Sequence, residues 1–199
     1  MYEWNVMARI LITGGCKQGK TTHAQRIVES LAPYGQRVYV ATMIPTDAED
    51  MERICRHRKE REGKGYVTVE WRDAQNRYNI NGLTSKITQG TVPCVIFDSV
   101  TALLQNNMFL REENEAGEVS YQEDCDAPEK TLREILALTE AVPHIVLVSD
   151  DICRDGLYYG EGTERYTCGL SYVNRSLARH CDQVIEVTGG GLIFHKNSL

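Results

Sequence analysis

Apolar positions along this chain follow two alternating periods. Short runs of β-branched and aliphatic residues predict strands over residues 9–13, 37–42, 66–71, 94–98, 145–149 and 184–188. Three of these are continuous apolar runs, the pattern of strands covered on both faces. In 66–71, by contrast, Val67, Val69 and Trp71 alternate with polar residues, so one face is expected to be wet. Between the runs, helical periodicity predicts helices over 21–31, 47–62, 101–110, 128–141 and about 170–181. Thr46 and Glu49 have capping-box spacing for the second helix, and Pro128 suits the first turn of the fourth. Strand and helix in regular alternation predict a mostly parallel sheet with crossover helices. Residues 184–196 read as two strands joined by a glycine turn, an antiparallel hairpin at the sheet edge. Residues 111–126 carry seven acidic side chains and one arginine with no apolar period, and are expected to form a solvated loop or lid.

At 199 residues the chain suits a single α/β domain, with residues 1–6 as a short extension before the first strand. A hydrophobic share of 42% beside 25% charged residues is ordinary for a globular chain and gives no sign of low complexity. No stretch approaches the roughly 20 apolar residues of a membrane span. The start, with Glu3 ahead of a short apolar run, does not read as a signal peptide. A net charge of −6 argues against a nucleic-acid partner, whose phosphates favour a basic face. Seven widely spaced cysteines include no C-x-x-C pair, so free thiols in a reducing cytoplasm and no structural metal are expected.

The most informative segment follows the first strand. Gly14-Gly15-Cys16-Lys17-Gln18-Gly19-Lys20-Thr21 reads G-x-x-x-x-G-K-T between a strand and a helix. Glycines let the backbone curl so that N–H groups converge on phosphate oxygens. Lys20 can reach the β/γ-phosphates, and the Thr21 hydroxyl can hold Mg²⁺. This places a nucleoside triphosphate at the first strand of a phosphate-loop (RecA-like) domain. Asp98 ends an apolar strand; it either supports the Mg²⁺ shell opposite Thr21 or caps the next helix, and beside such a loop the metal role is favoured.

Two further groups stay open on the residues alone. His57 shares a helix face with Arg53 and Arg61 inside the densest basic cluster of the chain. That is either a solvated helix end or a nucleophile beside phosphate-gripping cations, and surface histidines are the commoner case. Asp150 and Asp151 follow a strand and either line the cleft or form a turn. His23, His144, His180 and His195 call for nothing beyond packing or surface roles.

Six pieces in order, LITGGxxxGKT, VYVAT, RIxxHxxxR, TVE, DSVTALLxN and VNRxLAxxCDxVIEV, span Ile10 to about Lys196. Together they resemble the bifunctional adenosylcobinamide kinase / adenosylcobinamide-phosphate guanylyltransferase family of cobalamin biosynthesis. The resemblance implies a single phosphate-loop domain, a homotrimer and a corrinoid substrate. It also implies two activities, phosphorylation of adenosylcobinamide and transfer of GMP from GTP through a guanylyl-histidine. By position it makes His57 the guanylylated residue, with Lys20 also catalytic. Gly14 to Thr21, Ala41, Thr42, Met43, Arg58, Lys59, Glu60, Arg61, Glu70 and Asp98 become nucleotide contacts, with Thr21 and Asp98 on Mg²⁺ and GTP or ATP as substrates. The chain departs from the family pattern at Glu62 and Tyr66, and again at Asp150 to Cys153, Tyr158-Tyr159 and Ser171-Tyr172. These later departures bear on the acceptor. A diverged transferase with another acceptor, or a nucleotide switch without small-molecule chemistry, are the competing readings.

Overall fold

The computed structural model describes residues 7–45, 47–71, 93–113, 119–152 and 157–199. The extension at 1–6, Thr46 and Cys153 lie outside them. Chain order is β1 (Ala8–Gly14), α1 (Lys20–Leu31), β2 (Arg37–Ala41), α2 (Ala48–Arg61), β3 (Tyr66–Glu70) and β4 (Cys94–Asp98). Then come α3 (Val100–Met108), β5 (Phe109–Glu113), β6 (Val119–Glu123), α4 (Ala127–Ala141), β7 (His144–Val148), α5 (Glu161–His180), β8 (Gln183–Thr188) and β9 (Gly191–Asn197).

Seven strands form one sheet in the order β3-β2-β4-β7-β1-β8-β9, parallel except for the antiparallel β9. The architecture is the expected α/β fold, with the expected edge hairpin. Gly189 and Gly190 close that hairpin, both at positive φ (55° and 79°), the backbone a tight hairpin turn demands. The central strands explain their own apolar runs, because alternate residues fill two separate cores. Ile10, Ile12, Ile96 and Val146 face α1 with Ala24 and Val28. Leu11, Val40, Phe97 and Leu147 face the other side with Leu103 of α3, Ile135 of α4 and Leu177 of α5. Trp71 meets Phe97 edge-on at 5.2 Å in this second core.

Element ends depart from the periodicity where tertiary contacts take over. The second helix starts at a cap on Asp47, whose side chain accepts from the Asp50 N–H. The last helix begins nine residues before the expected start, because its first turns lack apolar positions. Glu161 and Glu164 there suit the positive helix end instead. In β3 only Val69 is buried and Val67 is exposed, as befits an edge strand.

The acidic segment 111–126 is not a loop throughout. Phe109–Glu113 and Val119–Glu123 pair as an antiparallel hairpin, which corrects the expectation. Its base is anchored from outside the segment: Phe109 packs on Tyr166 at 6.0 Å between centroids, and Arg165 donates to Glu123 at 2.8 Å. Those anchors lie on α5, far away in sequence, so no local pattern announces them.

His144 shows how one titratable group is tied to the fold. It is buried, and its Nδ1 accepts from the Ala8 N–H at 3.3 Å, which requires an unprotonated Nδ1. Burial lowers its pKa below 6.5. The folded state therefore resists the proton that the unfolded chain takes up as pH falls through 6.5, so stability is lost on acidification. Thermal unfolding between about pH 7.5 and about pH 5.5 should show this as a slope of at most about 1.4 kcal/mol per pH unit, reduced in His144→Asn. An unchanged slope in the variant would assign the acid sensitivity elsewhere.

Candidate functional site

Parallel strands leave their carboxyl ends along one edge of the sheet, and the loops there build the site. β1 runs into the glycine loop. Gly14 packs so closely that an added Cβ would meet the Val187 carbonyl oxygen at 2.4 Å, so a side chain there has no room. Gly19 caps α1 at φ 91°, a left-handed conformation natural only to glycine, and no side chain takes the first amides of α1. These amides and the positive end of α1 are left to an anion. Cys16, Lys17 and Gln18 form the exposed rim of the loop.

Lys20 is 7% exposed, folded back to donate to the Gly15 carbonyl at 2.7 Å and paired with Asp150 at 2.6 Å. Asp150 thus pairs with the loop lysine rather than merely forming a turn. Its own amide donates to Thr101 Oγ1, which ties it to α3. Asp98, at the end of β4, accepts two hydroxyls on the same oxygen, from Thr21 at 2.8 Å and from Tyr39 at 2.7 Å. It does not cap α3, since that cap is Ser99, accepting from the Ala102 N–H.

Beside the loop a cleft opens between α2 and the ends of β2, β3 and β4. Thr21 and Asp98 form one wall, while Ala41, Met43, Thr68 and Glu70 supply the floor and far side. From α2 come His57, Arg58 and Arg61, so the histidine motif and the phosphate loop share one cleft. His57 Nδ1 lies 3.1 Å from Glu60 Oε2, and Arg58 donates to Glu70 at 3.1 Å. Arg61 is 6% exposed and lies over the Tyr39 ring, 3.5 Å from its centroid. Its Nε and Nη1 have no hydrogen-bond partner. A buried guanidinium with two unpartnered nitrogens at a cleft suits an anionic ligand.

Not every expected contact points the same way. Thr42 is buried, its hydroxyl donating to the Ser99 carbonyl and accepting from the Ser99 amide, so it fastens β2 to the start of α3. Lys59 sits with Cys55 and Arg56 on the outer face of α2. Sequence reasoning missed Tyr39; the only signal was a hydroxyl-bearing residue within an otherwise apolar strand. Among the described residues no helix is long and apolar enough to cross a membrane. Six cysteines (16, 55, 94, 125, 168 and 181) are free thiols.

Strand, glycine loop, helix start and strand-end acid together define a phosphate-loop nucleotide-binding protein of the α/β class. A profile of the cobinamide kinase / cobinamide phosphate guanyltransferase family matches residues 10–193, and the chain belongs to that family of enzymes. It is 27% identical over 188 residues to the bifunctional adenosylcobalamin biosynthesis protein CobP of Pseudomonas aeruginosa, covering 92% of this chain and 94% of the relative. To the corresponding protein CobU of Salmonella typhimurium it is 26% identical over 185 residues, covering 91% and 96%.

The Lys20–Asp150 pair predicts opposite responses to two substitutions. Lys20→Met should weaken binding of a non-hydrolysable GTP analogue by about ten- to a hundredfold, the range for losing a charged hydrogen bond. Asp150→Asn should lower the melting temperature of the free protein, because a buried ammonium loses its counter-ion. The same variant should gain more than the wild type on adding the analogue. Thermal shift with and without analogue measures all three.

Proposed function

We propose that this chain phosphorylates adenosylcobinamide and then transfers GMP from GTP, through a guanylyl-histidine at His57, to adenosylcobinamide phosphate, giving adenosyl-GDP-cobinamide. The observation that carries the reading is the common cleft of Thr21, Asp98, His57 and Arg61. A switch that performs no group transfer has no use for a histidine beside the phosphates.

The chemistry follows from the contacts. With its Nδ1 proton donated to Glu60, the imidazole keeps its lone pair on Nε2. That nitrogen attacks the α-phosphorus of GTP as the bond to the bridging oxygen breaks, and pyrophosphate leaves. Lys20 and the unanswered N–H groups of Arg61 take up the charge on the leaving group. A phosphate oxygen of the acceptor then attacks the same phosphorus, the P–N bond breaks, and the imidazole is regenerated. In the kinase step the loop amides and Lys20 hold the β- and γ-phosphates while the aminopropanol hydroxyl attacks the γ-phosphorus; the bond to the β,γ-bridging oxygen breaks, the nucleoside diphosphate leaves, and the hydroxyl proton passes to solvent.

Thr21 and Asp98 fit Mg²⁺. Both offer hard oxygen donors, and two protein oxygens suffice for an ion that completes its shell with water and phosphate. The ion would supply charge neutralisation on the phosphates. The reading carries with it the single domain and the homotrimer that the resemblance implies, and the cytoplasmic location expected from the free thiols.

Incubation with α-labelled GTP and Mg²⁺ should leave an acid-labile, alkali-stable label on the wild-type protein and none on His57→Ala. Glu60→Gln should label more slowly, by about tenfold, because the orienting carboxylate is lost. Adenosylcobinamide phosphate should discharge the label. A wild type that binds GTP but takes no label overturns the covalent mechanism, and a label that the corrinoid cannot discharge overturns the acceptor.

A further inference from the structure

The Tyr39 side chain touches both halves of the cleft, Asp98 on one side and Arg61 on the other. Its hydroxyl donates to Asp98 Oδ2 at 2.7 Å, the same oxygen that receives the Thr21 hydroxyl at 2.8 Å. Its ring carries the Arg61 guanidinium, 3.5 Å from the centroid. The residue is 5% exposed and lies mid-strand in β2, so it cannot swing away to follow either neighbour.

We propose that Tyr39 is a positioning residue that holds the Asp98 carboxylate for a divalent cation through its hydroxyl and seats Arg61 for the triphosphate through its ring. The inference rests on the metal role of Thr21 and Asp98 proposed above. Two hydroxyls on Oδ2 fix the carboxylate plane and leave Oδ1 clear of both. Without the phenol the carboxylate keeps one partner, Thr21, whose hydroxyl is itself needed at the metal. A carboxylate that must be reoriented on each binding event holds a cation less tightly, because the ordering cost then falls on binding.

The ring acts separately from the hydroxyl. Arg61 has two buried N–H groups without partners, so the Tyr39 face is what offsets the desolvation of its charge. Arg61 also ends α2, one turn beyond His57. Its seating therefore sets where the last turn of that helix lies over the cleft.

Two substitutions separate the functions. Tyr39→Phe keeps the ring and removes the hydroxyl; Tyr39→Leu removes both. Mn²⁺ serves as the probe, its free concentration read by electron paramagnetic resonance in the presence of a non-hydrolysable GTP analogue. Tyr39→Phe should bind Mn²⁺ about tenfold more weakly than wild type, the order for one hydrogen bond to a charged acceptor. At saturating Mn²⁺ it should bind the analogue with wild-type affinity. Tyr39→Leu should lose analogue affinity as well, by about tenfold or more. Thermal unfolding of each variant checks the fold; if Tyr39→Leu does not fold, Tyr39→Phe with its unchanged ring still decides the hydroxyl's role. Wild-type Mn²⁺ affinity in Tyr39→Phe overturns the proposal. Asp98→Asn is the control, for if it binds Mn²⁺ as wild type does, the metal role of Asp98 fails instead.

Discussion

One carboxylate joins the parts of this site. Asp98 stands at the carboxyl end of β4, next to β2 on one side and β7 on the other. By accepting from Thr21 and Tyr39 it connects the first turn of α1, the middle of β2 and the end of β4 at a single oxygen. The sheet makes this possible. The parallel register sets Ala41 beside Asp98, and the Thr42 amide donates to the Asp98 carbonyl, so the backbone of β2 stays in step with the acid. Thr42 and Ser99 then lock the two chain exits together, and Asn106 donates to the Thr42 carbonyl from α3. The carboxylate is rigid because three elements would have to move to release it.

The helix that brings His57 is held in a very different way. Of the α2 side chains described, only Arg61 is buried. Most of its companions are charged or exposed, and helix stability in proteins normally comes from an apolar face against a core. Here it comes from the ends. Asp47 caps the first turn, Glu49 and Asp50 suit its dipole, and Arg58, Lys59 and Arg61 suit the other end. The Arg58–Glu70 pair is about half exposed at each partner, so it contributes little by itself. The anchor is the stacked, buried Arg61.

Much of this was legible beforehand. The strand–loop–helix around Gly14 to Thr21 is local chemistry, and every residue of the signal lies within one short segment. The alternation of Leu11 with Ile10 and Ile12 between two cores follows from the strand period alone. From the periodicity alone the shared cleft was not legible; only the family resemblance joined His57 to the phosphate loop. His57 and Thr21 are brought together by crossing from β1 to β2 and by the stacking of Arg61, neither of which leaves a periodic trace. The antiparallel pairing of Phe109–Glu113 with Val119–Glu123 escaped for the same reason. Its acid-rich strands are held by Arg165 and Tyr166 on α5, contacts too distant in sequence for a window to register. Tyr39 was hidden by looking apolar, since in a strand period it counts only as core.

The pairing of Lys20 with Asp150 bears on which ligands can open the loop. A nearly buried ammonium without its carboxylate would be costly, so in the free protein the pair answers the charge. Any phosphate that takes Lys20 must replace that attraction. A single phosphoryl group meets the lysine but leaves most of the α1 amides unanswered. On the proposed function a triphosphate would meet both, its α-phosphate directed toward the cleft where Arg61 Nε and Nη1 lack partners. On that reading a polyphosphate chain would satisfy the two deficits, one at each end of the site, together. On the proposed function, the acid paired with Lys20 would set a threshold that short anions do not clear, and selectivity for a triphosphate would follow from charge pairing before any base is recognised.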